Sequence, residues 1–337
     1  MSAAWLAEIP ARRLVEEGLE ERVALAPGDQ PLVAVGDTVE PGTALLARLR
    51  DAHVEEVDVR APDGEALIPG SAFTALLTHR GRGDAQLEGE LLAPVPNRAR
   101  RWRLVTGEHR VTVGAVAGGT VTAVQPGSEI RIALGGRAVR GAFGAGQAAR
   151  GPLTVVTDAL GELRPGGIDV GQVGNILVVG SRIDAEALTR ARAMGIRGIV
   201  VASLAGKELR DFQASERRQR AALHPAEPFA VLVLDGAGRR PLSSPLAALL
   251  AGLEGVEVAI LLDPPALVFD VPDLPAPAMP EDWVRVRGGR YAGAEGRVLG
   301  LSGVRRFAGG VHLEAARVAF GEDEAVDVPL GDLERLG

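Results

Sequence analysis

"NILVVGSRIDAEALTRARAMGIRGIVVAS", residues 175–203, sets the centre of this chain. Ile176 to Val179 are four consecutive apolar residues with no polar face, the pattern of a strand buried on both sides. Asp184 stands where a helix N-cap belongs, since a short carboxylate there accepts a backbone N–H of the first turn. Gly195 supplies the left-handed residue that ends a helix, and residues 196–203 read as the next strand. Outward from here the alternation repeats: a charged helix over 205–223, a strand over 229–236, a helix over 244–255 and a strand over 256–262. Strand–helix–strand order with continuous apolar strands predicts a small parallel α/β sheet, covered on both faces, over residues 151–263.

Toward the N-terminus the period changes. Residues 1–150 read as short strands between Gly and Pro turns, a β domain. In "PLVAVGDTVEPGTALLARL" (31–49), Leu32, Val33 and Val35 lead into Gly36-Asp37, and Pro41-Gly42 leads into a second strand carrying Leu45, Leu46 and Leu49. In residues 114–144, Val121, Val124, Ile130, Ile132 and Leu134 are expected on one side of a hairpin turned at Pro126-Gly127. The glycine-dense run "RGAFGAGQAARG" (140–151) lacks the G-x-G-x-x-G spacing and is read as a turn or crossover. "NRARRWR" (97–103) pairs arginines with Trp102 and is either a phosphate-contacting patch or a charged hairpin edge. Residues 64–110 carry no assigned role.

Toward the C-terminus, "DPPALVFDVPDLPAPAMP" (263–280) holds six prolines, and a linker is expected over 264–280. A separate all-β module follows over 281–337.

The chain has 337 residues, no cysteine and a net charge of −7. That length suits two or three domains, and the missing cysteines exclude disulfides and thiolate sites. The acidic balance disfavours a general nucleic-acid binder. The N-terminal residues have no signal-like apolar core and no apolar run reaches membrane-spanning length, so a cytoplasmic protein without membrane contact is expected. Of 37 basic residues one is a lysine, Lys207.

Residues 31–49 and "VAGGTVTAVQPGSEIRIAL" resemble halves of the barrel-sandwich fold of biotinyl/lipoyl domains. That resemblance implies a carrier lysine at a hairpin tip, yet no lysine precedes Lys207, so attachment of biotin or lipoate is excluded. Residues 176–203 are similar to swivelling domains of phosphotransfer proteins, but no histidine lies between His109 and His224, which excludes a phosphohistidine. "VRVRGGRYAGAEGRVLGL" (284–301) resembles the KOW motif of SH3-like barrels, which implies contact with RNA or protein. In its order of modules the chain resembles a group of uncharacterised bacterial KOW-domain-containing proteins. The expected fold is therefore multidomain β plus α/β: a barrel-sandwich-like domain, a small parallel α/β sheet and a C-terminal SH3-like barrel.

Open α/β sheets bind ligands beyond the carboxyl ends of their strands. Those ends gather Ser181, Arg182, Ser203, Lys207 and Arg239 as a candidate anion site. In the C-terminal module Arg285, Arg287, Arg290, Tyr291 and Arg297 are candidate contacts to a partner or RNA. The five histidines are scattered, no metal or cofactor site is expected, and no catalytic constellation stands out. The expected function is a non-catalytic adaptor or scaffold docking a protein partner, with anionic-ligand sensing in the α/β domain. The alternatives are an RNA- or ribosome-associated factor, and an enzyme acting on a phosphorylated small molecule.

Overall fold

The computed structural model describes the chain except residues 1–3, 27, 51–52, 60–71, 79–83, 96–97, 99, 107–108, 221–226, 276–278, 322–324 and 337. Ile176–Val179, Gly198–Val201 and Ala230–Val233 are strands in which every residue is buried, because layers of helix cover both faces. Along each strand alternate side chains serve opposite layers. Leu177, Val179, Ile199, Val201, Val231 and Val233 pack under helices α1 (Ala185–Ala193) and α2 (Gly206–Arg220). Ile176, Val178, Val200 and Leu232 pack under α3 (Ser244–Ala251). Asp184 caps α1 by accepting the Ala187 N–H at 2.7 Å, and Gly195 closes its C-terminal end at φ 81°.

This sheet is larger than the sequence suggests and is mixed. Its nine strands run in the order Phe143–Gly146, Ala230–Val233, Gly198–Val201, Ile176–Val179, Ala149–Val155, Glu257–Leu262, Pro265–Phe269, Arg137–Arg140, Glu16–Glu17. The four strands from Ala230–Val233 to Ala149–Val155 are parallel. Glu257–Leu262, expected as a fourth parallel strand, runs antiparallel to Ala149–Val155 and returns as Pro265–Phe269. An apolar run states that a strand is buried, not which way it points. The sheet also crosses the expected boundaries at 150 and 264: strands before residue 150 belong to it, and the first five residues after Pro264 form one of its buried strands. The expected linker therefore starts no earlier than residue 270, and residues 276–278 of it lie outside the described residues.

The N-terminal β region lies against the antiparallel part of that sheet. A four-stranded sheet contains the hairpin of Gly119–Gln125 with Glu129–Leu134, and a three-stranded sheet contains Ala44–Arg50. Val39, Leu45, Leu46, Val121, Ile130, Ile132 and Leu134 share one core with Leu261, Ala266 and Val268. Gly127 turns the hairpin at φ 72°. Leu32 and Val35, expected in a strand, are exposed; residues 32–35 instead bridge sheets, with the Leu32 N–H on the Leu45 carbonyl and the Gly36 N–H on the Val121 carbonyl. A further four-stranded sheet, His53–Asp58 to Arg101–Thr106, is inserted between paired strands Ala44–Arg50 and His109–Gly114. Glu21 is buried in this region, its Oε2 has no hydrogen-bond donor among the described residues, and burial pushes its carboxyl up to about 7.

The C-terminal module is a six-stranded sheet that includes a strand from the opposite end of the chain. Ala11–Arg12 pairs parallel with Leu333–Leu336, and Trp5, Leu6 and Ile9 pack with Val284, Val286, Val318 and Leu333. Residues 5–12 thus belong with residues 283–336 rather than with the N-terminal β region.

Candidate docking surface and the arginine junction

The central sheet and the C-terminal sheet, with its N-terminal strand, meet around Asp235, just beyond the carboxyl end of the Ala230–Val233 strand. Its Oδ1 accepts from Arg12 Nη1 at 2.5 Å and its Oδ2 from Arg285 Nη1 at 2.8 Å. Its backbone carbonyl accepts from Arg240 Nη1. Arg12 also donates to the carbonyls of Leu234 and Arg140, and Arg285 to that of Pro241. An arginine fork holding a carboxylate and carbonyls together fixes direction as well as distance. One acidic residue therefore ties the N-terminal segment and the C-terminal sheet to the central sheet.

Two other contacts reinforce that seam. Glu295 of the C-terminal sheet accepts the Ser244 N–H at 3.0 Å and so caps α3, whose own Ser243 side chain makes no cap bond. A carboxylate at a helix N-terminus neutralises an orphan donor and suits the helix dipole. Gly293, at φ 90°, lies so close to the loop that a Cβ there would stand 2.7 Å from Pro241 Cδ.

Of the candidate anion residues at the strand ends, the structure joins only some. Ser203 is buried, donates to the Ser181 carbonyl at 3.0 Å and accepts the Arg240 N–H at 2.8 Å. The Ser181 hydroxyl donates to the Leu160 carbonyl. These two serines stitch strand ends to loops. Arg182 donates to Glu208 at 3.2 Å and lies 4.0 Å from Glu162, so its charge is met within the chain. Burial pushes the Glu208 carboxyl up, but its backbone hydrogen bond and Arg182 outweigh that and leave it below the usual range. Lys207 and Arg239 are exposed.

The C-terminal candidates divide. Arg285 is 1% exposed and committed to Asp235 and Pro241, so it is a structural tie and not a surface contact. Tyr291 is partly buried against the module core, stacked on Phe320 at 5.4 Å with Arg290 over its ring, so its faces are already engaged within the chain. Arg297 pairs with Asp282 at 3.3 Å, and Arg287 approaches Glu334 at 3.8 Å. In the run at 97–103, Asn97 and Ala99 lie outside the described residues. Arg98 and Arg101 face Glu56, Arg101 also faces Asp58, and Trp102 packs on Leu91 and Leu104.

What the sequence reading missed is the long hairpin of Glu295–Arg306 with His312–Ala319. Of ten exposed large apolar residues among those described, five sit on it: Leu299, Leu301, Val304, Val311 and Leu313. Leu299 and Leu301 fell within the KOW-like run and the other three in no motif, so none was read as a surface residue. Two register shifts, at Val298/Gly300 and Leu301/Gly303, interrupt the in–out alternation of the strand. Arg305 and Arg317 flank the apolar residues and share Asp327, which also accepts the Ser302 hydroxyl at 2.6 Å.

Among the described residues no helix is long and apolar enough to cross a membrane, and no group of His, Asp and Glu is arranged to hold a metal ion. No family model matches the chain, and no curated protein is similar to it.

Proposed function

We propose that the chain is a non-catalytic multidomain scaffold that docks a protein partner through the long hairpin of its C-terminal module, read as an SH3-like barrel of the KOW type. The observation that carries this reading is the concentration of exposed apolar side chains on that hairpin. Exposed apolar side chains gathered on one element point to an interaction site more than single ones scattered over a surface do. Arg305, Arg306 and Arg317 are exposed beside Leu301, Val304 and Leu313; against Asp327, which Arg305 and Arg317 share, and exposed Glu314, they leave the rim a small basic excess. A protein surface with an apolar centre and acidic edge complements it. The RNA alternative is less well supported, because Arg285 is buried, Arg297 is paired and the Tyr291 ring stacks on Phe320.

The test is capture from nuclease-treated native lysate with the whole chain and with Leu301→Glu/Val304→Glu. A protein that the parent retains and the hairpin variant loses, while Arg287→Gln still retains it, supports the reading. Equal recovery by parent and hairpin variant, or recovery abolished by nuclease, overturns it.

A further inference from the structure

A hollow of about 260 Å³ opens over the Asp235 junction, lined by Arg12, Arg140, Arg240, Arg285, Arg287 and Glu334 among others. A wider groove of about 610 Å³ adjoins it, sharing Arg12, Arg140, Arg287 and Glu334 and adding Arg13 and Glu16. We propose that this joined hollow is a binding site for a small phosphorylated molecule, held by Arg13 and Arg287 with Arg140 at its edge.

The charge balance points to an anion. Six arginines line the two hollows against the carboxylates of Glu16, Asp235 and Glu334, in a chain whose net charge is −7. The floor is saturated: Arg12 and Arg285 spend their donors on Asp235 and on carbonyls, and Arg140 pairs with Glu16 at 2.7 Å. The walls are not. Arg13 is exposed, with no hydrogen bond or ion pair among the described residues. Among the described residues the Arg287 side chain has only Glu334, at 3.8 Å. Two guanidinium groups with donors to spare, facing one concavity, match the oxygens of a phosphate or diphosphate group.

Shape and lining select among phosphorylated partners. No aromatic residue lines either hollow, so there is no platform on which a single-stranded nucleic acid could stack its bases. The volume suits a small molecule. The location gives binding a consequence. Arg13 follows the Ala11–Arg12 strand and Arg287 the Trp283–Val286 strand of the C-terminal sheet, whereas Arg140 ends a strand of the central sheet, so one anion would bridge the two sheets and tighten their junction.

Titration calorimetry with inorganic pyrophosphate at low salt tests this on the whole chain. The expected result is binding by the parent that weakens about tenfold or more in Arg13→Gln and in Arg287→Gln. Arg190→Gln, which removes the same charge from an exposed position of α1 outside both hollows, should leave it unchanged. Absence of binding by the parent overturns the proposal, as does equal weakening by Arg190→Gln, which would mark a response to bulk charge. Displacement of pyrophosphate by a short single-stranded RNA of equal phosphate concentration would also overturn it. None of these variants touches the apolar hairpin residues, so the outcome is independent of the docking experiment.

Discussion

Arg285 and Asp235, fifty positions apart in the chain, form an ion pair at 2.8 Å with side chains only 2% and 4% exposed. Desolvating both charges is costly, and the pair holds because Arg12 takes the other carboxylate oxygen and the Pro241 carbonyl takes the second arginine donor. Removing one partner strands the rest. Asp235→Ala is expected to cost about 3–5 kcal/mol in denaturant unfolding, with Arg285→Met recovering part of that loss in the double variant. A single-variant cost below about 1 kcal/mol would show the pair to be incidental.

Glu295 acts across a module boundary, and its loss should be read at the helix it caps. Glu295→Ala is expected to destabilise the protein by about 0.5–2 kcal/mol. Hydrogen exchange should rise at Ser244 and the first turn of α3 more than within the C-terminal strands. Unchanged exchange at Ser244 would contradict the capping role.

Gly293 offers a comparison within one module. Gly293→Ala must place a Cβ at φ 90° and against Pro241, whereas Gly300 has nothing within 4 Å of such an atom. The first substitution is expected to lower stability by about 1–3 kcal/mol and to raise exchange in residues 235–243. Gly300→Ala should cost far less. Equal effects would argue that the seam at Pro241 is not tightly packed.

Glu21 makes stability depend on pH in a defined direction. Its folded carboxyl titrates at about 7 against an ordinary 4.5, so the folded state holds a proton that the unfolded state has lost between those values. Stability is therefore greatest at and below the ordinary value, declines as pH rises through that window and stays reduced above it, by about 3 kcal/mol for this one group. Glu21→Gln removes the titrating charge. It should stabilise the protein above neutrality and flatten the decline, measured as denaturation midpoints across the window. An unchanged slope would contradict the assignment.

Much of the central sheet was legible because local signals agreed there: apolar runs at Ile176–Val179 and Gly198–Val201, a cap at Asp184 and a stop at Gly195. The hairpin at Pro126-Gly127 was legible for the same reason. What escaped depends on long-range pairing. The direction of Glu257–Leu262 is set by its partners, not its composition. Ile9 fills a core built from residues at the far end of the chain. Arg285 reads as a surface arginine until Asp235 is placed beside it. The exposure of Leu299, Leu301, Val304, Val311 and Leu313 depends on the pairing and register of the long hairpin, which no local pattern announces.

The central claim is that the long hairpin receives a protein, and the most direct measurement is its loss by two surface substitutions. Nuclease-treated lysate passed over the whole chain should yield a partner that Leu301→Glu/Val304→Glu no longer retains, with the variant's thermal midpoint close to the parent's because both side chains are already exposed. Retention of the same partner by a folded hairpin variant would contradict the account.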